Sequence, residues 1–223
     1  MLALLGCWAP TSAQQSEPRA IGVWYIYFAD YGVSEKWSVH HETHLHLYEP
    51  LREFNRFVLR AGPSYRLKPF LTGTFLYHYS YSDPTYTEEV AVNRLEEHRL
   101  MEQLVYRHKH AQWGFSHRLR TEQRFFDLEG LHSSTQRARY RLLVGHPLAG
   151  AFYANADGEV LAEWRERAFM SYRLSGSVGA YLNPRLRLQV GYTHFFLPGG
   201  RYDERIRVLL LFSTEPGKKV AQP

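Results

Sequence analysis

At 223 residues and 26.2 kDa the chain has room for one ordinary domain or two small ones, and 44% hydrophobic content is enough to fold. A mean hydropathy of −0.42, with no long unbroken apolar run, excludes a bundle of membrane-spanning helices, each of which needs about 20 consecutive apolar residues. A net charge of +5 and a pI near 9.3 raise nucleic acid as a partner. The arginines, however, alternate singly with apolar residues instead of clustering, so no nucleic acid is expected. Aromatic residues make up 15% of the chain, with 16 Tyr and 13 Phe, an excess that suits strands and membrane interfaces.

In chain order, residues 1–13 are predicted to be an export signal, with an apolar stretch followed by small Thr11 and Ala13 before polar Gln14. No basic residue precedes Arg19, and Leu4-Leu5-Gly6-Cys7 also resembles a lipoprotein processing box, which keeps lipidation as the alternative. Cleavage after Ala13 removes Cys7, so the mature chain has no disulfide to rely on and must close its backbone hydrogen bonds in another way.

Period-2 alternation then predicts strands at 22–28, 37–47, 56–67, 71–81, 96–108, 113–126, 136–146, 151–163, 170–182, 185–196 and 205–212. A helical reading competes only over 95–106, where Leu95, Leu100, Leu104 and Val105 recur loosely, and the strand is preferred. Most runs suffice for a tilted strand to cross a bilayer, which takes about 9–11 residues. None is continuously apolar and no spacer is long enough for crossover helices, which leaves an antiparallel meander. Short connections at 68–69, 108–111, 147–150 and 183–184 alternate with longer ones at 48–55, 82–94, 127–135, 164–169 and 197–204. Short periplasmic turns facing longer external loops would leave the last strand running inward. Ten strands lie between Trp37 and Phe212; the segment 22–28 is the odd one, either paired with a further strand or packed at the periplasmic rim.

One face of these strands is apolar, as in Phe75, Tyr77, Tyr79 and Tyr81, or Ile206, Val208, Leu210 and Phe212. The other carries His40, Glu42, His44, His46, Arg60, Glu97, Arg99, Gln103, Arg118, Arg120, Glu122, Arg124, Arg137, Arg139, Arg141, Glu159 and Arg173. Unpaired buried charges cost several kcal/mol each, so this face must be wet or heavily paired and cannot be the core of a water-soluble barrel. The expected architecture is all-β: a single antiparallel up-and-down transmembrane β-barrel of ten to twelve strands with a polar, charged lumen, over 14–213, and a C-terminal tail at 214–223. The expected location is the cell outer membrane of a Gram-negative bacterium. The expected partners are outer-membrane lipid, the barrel-assembly machinery that reads the last strand, and a small anionic solute.

Several segments occur in an order that resembles the bacterial domain-of-unknown-function family 2490. They are Trp24, Lys36-Trp37-Ser38-Val39 with His41-Glu42, Leu59 through Tyr65, Glu97-His98-Arg99 with Gln103, Arg118-Leu119-Arg120-Thr121-Glu122-Gln123-Arg124, and Arg137-Ala138-Arg139-Tyr140. The Arg-x-Arg-x-Glu-Gln-Arg block followed by Arg-x-Arg-Tyr is the most specific part. The resemblance implies an exported outer-membrane barrel and supplies no reaction.

The arginine rows and their carboxylates are candidate lumen residues, with a structural ladder or an anion-binding passage as their two readings. About ten strands enclose little space, since open channels appear only near sixteen, so a porin-like wide pore is not expected. His78 and Ser80, two apart on one strand face, would suit an outer-membrane lipid hydrolase, but the neighbouring tyrosines claim the lipid side and point the pair inward. His40, Glu42, His44 and His46 share a face at a spacing that allows a zinc-like ion, against a bland reading as partners of neighbouring arginines. No metal or other cofactor is called for by these patterns.

Overall fold

Side chains that alternate in polarity every second residue can satisfy both faces of a strand only if the two faces meet different surroundings, and a sheet that curls shut provides them. The computed structural model describes residues 21–83, 95–128, 130–164 and 168–214; the predicted signal at 1–13, with Cys7, lies outside them, as does most of the predicted tail. The strands are β1 (Gly22–Gly32), β2 (Trp37–Glu49), β3 (Arg52–Lys68), β4 (Leu71–Ser82), β5 (Leu95–His110), β6 (Trp113–Leu128), β7 (Leu131–Pro147), β8 (Phe152–Trp164), β9 (Ala168–Asn183), β10 (Leu186–Phe196) and β11 (Tyr202–Ser213). They form one closed barrel in sequence order, sealed by β1 against β11. A three-residue 3-10 turn at Pro198–Gly200 is the helical element among the described residues.

The strand count falls within the expected range, but the strictly up-and-down arrangement does not hold. The pairs between sequence neighbours are antiparallel, whereas β1 and β11 pair in parallel from Gly22 with Arg205 to Asp30 with Ser213. The segment expected as a rim piece or half of an extra pair is instead the strand that closes the sheet. With eleven strands, β1 begins at the mouth opposite the one where β11 ends.

Two of the expected long loops also shrink. The 48–55 and 127–135 regions are mostly strand, since β2 runs to Glu49 and β3 resumes at Arg52, and β6 runs to Leu128 and β7 resumes at Leu131. Gly130 has a φ of 85°, the left-handed backbone that two-residue hairpin turns require. Their polar residues looked like loop but form ladders that continue past the apolar belt.

The buried and exposed sets separate by face. Leu45, Leu59, Phe75, Tyr77, Leu100, Leu104, Leu119, Val178 and Val190 are exposed on the outside. Exposed aromatic residues ring both mouths: Tyr31, Trp37, Phe70, Tyr106, Trp113 and Phe152 at one, and Phe54, Phe125, Trp164, Tyr172, Phe196 and Tyr202 at the other. The buried side chains lie on the enclosed face, because they reach partners on strands that are not neighbours. Glu42 of β2, for example, comes within 3.7 Å of Arg120 of β6.

Packing inside is close. Tyr153, 1% exposed, lies over Gly179 of the adjacent strand, where an added Cβ would run into its ring, and its hydroxyl donates to Gln189 Oε1 at 3.2 Å. Gly179→Ala is therefore expected to destabilise the barrel by about 1–3 kcal/mol through overpacking. Urea unfolding followed by intrinsic fluorescence checks this, with partial recovery expected in the double variant Gly179→Ala/Tyr153→Leu.

Candidate functional site

The charged face is built by spacing. On β6, residues 118, 120, 122 and 124 all point inward at two-residue intervals, and the β7 residues 137, 139 and 141 stand opposite them in register. An arginine beside an arginine is tolerable only if carboxylates reach between them. Five glutamates do so.

Glu122 accepts hydrogen bonds from Arg99 Nη1 at 3.0 Å and Arg139 Nη1 at 2.9 Å, with Arg137 at 3.7 Å and Arg120 at 4.0 Å; its side chain has no exposed surface. Glu159 accepts from Arg118 Nη2 at 2.7 Å and from Arg139 Nε and Nη2 at 3.1 and 2.8 Å, and also pairs with Arg173. Glu97 takes a two-pronged contact from Arg99 at 2.7 and 2.6 Å and another from Arg124 Nε at 2.6 Å. Glu163 holds Arg124 Nη1 at 2.5 Å and Arg137 Nε at 2.8 Å.

Glu42 accepts from Arg60 Nη1 at 2.5 Å and lies 3.0 Å from both His40 Nε2 and His44 Nε2. Gln103 Oε1 accepts from Arg120 Nε and Nη2 at 3.0 and 2.5 Å, a neutral acceptor for a guanidinium whose carboxylates lie no nearer than 3.7 Å. Arg118 and Arg124 of β6 both cross to β8, so the network spans the interior instead of running only along neighbouring strands.

The structure thus brings together Glu42, Arg60, Glu97, Arg99, Gln103, Arg118, Arg120, Glu122, Arg124, Arg137, Arg139, Glu159 and Arg173. Arg141 stands apart: it makes no ion pair or hydrogen bond with a described residue, and its Nε is buried without a partner. Glu163 was not among the expected site residues, although it lies four residues beyond Glu159 on the same strand face.

The alternative sites are not assembled as their chemistry requires. His78 and Ser80 are both 1% exposed and point inward, but Arg60 Nε donates to His78 Nδ1 at 2.8 Å, while His78 Nε2 and Ser80 Oγ have no hydrogen-bond partner. A base and nucleophile need a bond between them, and none is made. In the histidine row, Glu42 is committed to Arg60 and His46 stacks on Trp24 with ring centroids 4.1 Å apart. No group of three or more metal-ligating side chains converges among the described residues.

A family model described as "Protein of unknown function (DUF2490)" matches residues 21–203, from β1 into the start of β11. The chain belongs to this family. No curated protein and no solved structure matches it. Within this DUF2490 barrel the Arg-x-Arg-x-Glu-Gln-Arg block lies on β6, the strand whose three inward arginines touch carboxylates from β2, β5, β6 and β8.

Removing one hub carboxylate leaves several buried guanidiniums short of a partner, which costs about 3–5 kcal/mol for a buried pair. Glu122→Gln is expected to lower stability by that order. Glu102→Gln, on the exposed outer face, is expected to leave this network untouched. Comparison of urea midpoints for the two refolded variants checks the difference.

Proposed function

We propose that the protein is an outer-membrane β-barrel of a Gram-negative envelope, with an arginine-rich lumen closed across its middle by ion pairs. Its role in this reading is structural or the binding of a small solute, and not conduction through a wide pore. The observation that carries the proposal is the inverted distribution of side chains: charges enclosed, apolar residues outside, and an aromatic ring at each mouth. Outer-membrane barrels have an outward apolar band flanked by aromatic girdles, and closure leaves no strand edge unpaired in lipid. In water the same exterior would expose a contiguous apolar surface far larger than monomeric proteins show.

The predicted signal at 1–13 supports export, and β11, with Val208, Leu210 and Phe212 on one face, supports recognition by barrel-assembly machinery. The turns at 69–70, 111–112 and 184–185 share one mouth, and the end of β4 at Ser82 and the start of β5 at Leu95 lie at the other. We place the first mouth in the periplasm, which puts the end of β11 there and the start of β1 on the external side.

Membrane fractionation and heat-modifiable migration on gels test the placement. A chain that purifies as a soluble monomer without detergent would overturn it. In planar bilayers the wild-type protein is expected to give no conductance steps, because Glu42 and Arg120 meet across the interior. Arg120→Ala combined with Arg139→Ala removes the arginine that reaches Glu42 and the one that holds Glu122 and Glu159 beside it, and is expected to produce small, anion-selective steps.

Glu102 gives a sharper discrimination. It is exposed on the outer face between Leu100 and Leu104, accepting from Thr121 Oγ1 at 3.1 Å. A carboxylate facing lipid is costly, so Glu102→Leu is expected to stabilise the barrel in lipid vesicles by about 1 kcal/mol or more, measured by urea unfolding. On a water-facing surface the change would stay within about 0.5 kcal/mol.

A further inference from the structure

The ion-pair network does not neutralise all of the enclosed arginines. Apart from Arg56 of β3, near the other mouth, the exceptions lie on the inner face of β6 through β11, toward the mouth where β11 ends. Arg141 stands in register between Arg118 of β6 and Glu159 of β8, with Asp157, Arg207 and Arg139 as further charged neighbours, and Glu159 is already held by Arg118, Arg139 and Arg173. Arg207 has Asp157 at 3.6 Å as its carboxylate. Arg187 has no ion pair among the described residues, and its guanidinium sits 5.7 and 5.8 Å from the ring centroids of Tyr153 and Tyr181. The Nε atoms of Arg118, Arg141, Arg187 and Arg207 and the Tyr181 hydroxyl are all buried without a hydrogen-bond partner.

Orphaned buried donors are rare in folded proteins, and each has a cause. Others occur elsewhere, such as His46 Nε2, Arg56 Nε, His78 Nε2 and Ser80 Oγ on β2 to β4, but these five are donors on β6, β7, β9, β10 and β11, in a region where Asp157 supplies the nearby negative charge apart from the already saturated Glu159. Guanidinium forks match the spacing of oxyanion oxygens, and four of them sharing only Asp157 and the saturated Glu159 favour a doubly charged anion over a singly charged one.

We propose that Arg141, Arg187 and Arg207, with Arg118 and Tyr181, form a binding site for a small solute carrying a phosphate or an equivalent doubly charged oxyanion. The inference rests on the reading of the barrel as a solute-binding one and names the solute's chemistry. Asp157 stays paired with Arg207 and sets one edge of the site, which disfavours anions large enough to crowd it.

The full chain, refolded in detergent micelles at low ionic strength, is titrated with inorganic phosphate by calorimetry, with chloride at matched ionic strength as the reference. Saturable phosphate binding is expected, at least tenfold weaker in Arg141→Gln and in Arg187→Gln, and unchanged in Arg185→Ala, an exposed turn residue. Because Arg141 gives up no native pair, Arg141→Gln is also expected to keep the heat-modifiable band; a purely structural arginine would lose it. Absence of saturable binding by the wild-type protein at millimolar phosphate would overturn the site, as would binding that both variants retain. A folded barrel without phosphate binding refutes this inference alone, while phosphate binding by a chain that needs no detergent refutes the membrane placement alone.

Discussion

The fold depends on carboxylates shared among guanidiniums. Glu122 and Glu159 each serve three or more arginines, from strands on either side and from across the interior. A buried ion pair seldom stabilises a protein relative to a well-packed apolar core, but it penalises every arrangement in which a partner is missing. That penalty is what makes the register of β5 through β8 unambiguous. A shift by one residue would carry the whole charged set to the apolar outside and the leucines and tyrosines inward.

Alternation is also why so much of the architecture was legible in the sequence. Arg118 to Arg124 and Arg137 to Arg141 announce a two-faced sheet, and the enclosed side chains are the ones that alternation assigned to the charged face. Periodicity reports which way a side chain points but carries no information about which strand lies beside it. The parallel seam between β1 and β11 was therefore invisible, as was the crossing from Arg124 to Glu163. The connections after Glu49 and after Leu128 were overestimated for a related reason: polar residues at strand ends resemble loop until the partner strand is known.

The site was legible as a set of residue types and not as a division of labour. Arg141 and Arg139 look equivalent in sequence, two apart on one face, yet Arg139 donates to both Glu122 and Glu159 while Arg141 has no such partner. The difference comes from where the carboxylates of β6 and β8 fall, which is fixed by pairing and tilt. The histidine row fails as a metal site for a similar reason, since Arg60 on the neighbouring strand claims the carboxylate first.

The seam between β1 and β11 has a consequence for assembly. The other strand pairs join segments adjacent in the chain and can form hairpin by hairpin, whereas this one waits for the last strand and must bring together residues as distant as Gly22 and Arg205. Until it forms, the sheet is an open ribbon with two bare edges, and parallel pairing gives slightly less hold per residue than its antiparallel neighbours. The seam is then both the final stitch of maturation and the line along which the cylinder would first unzip sideways.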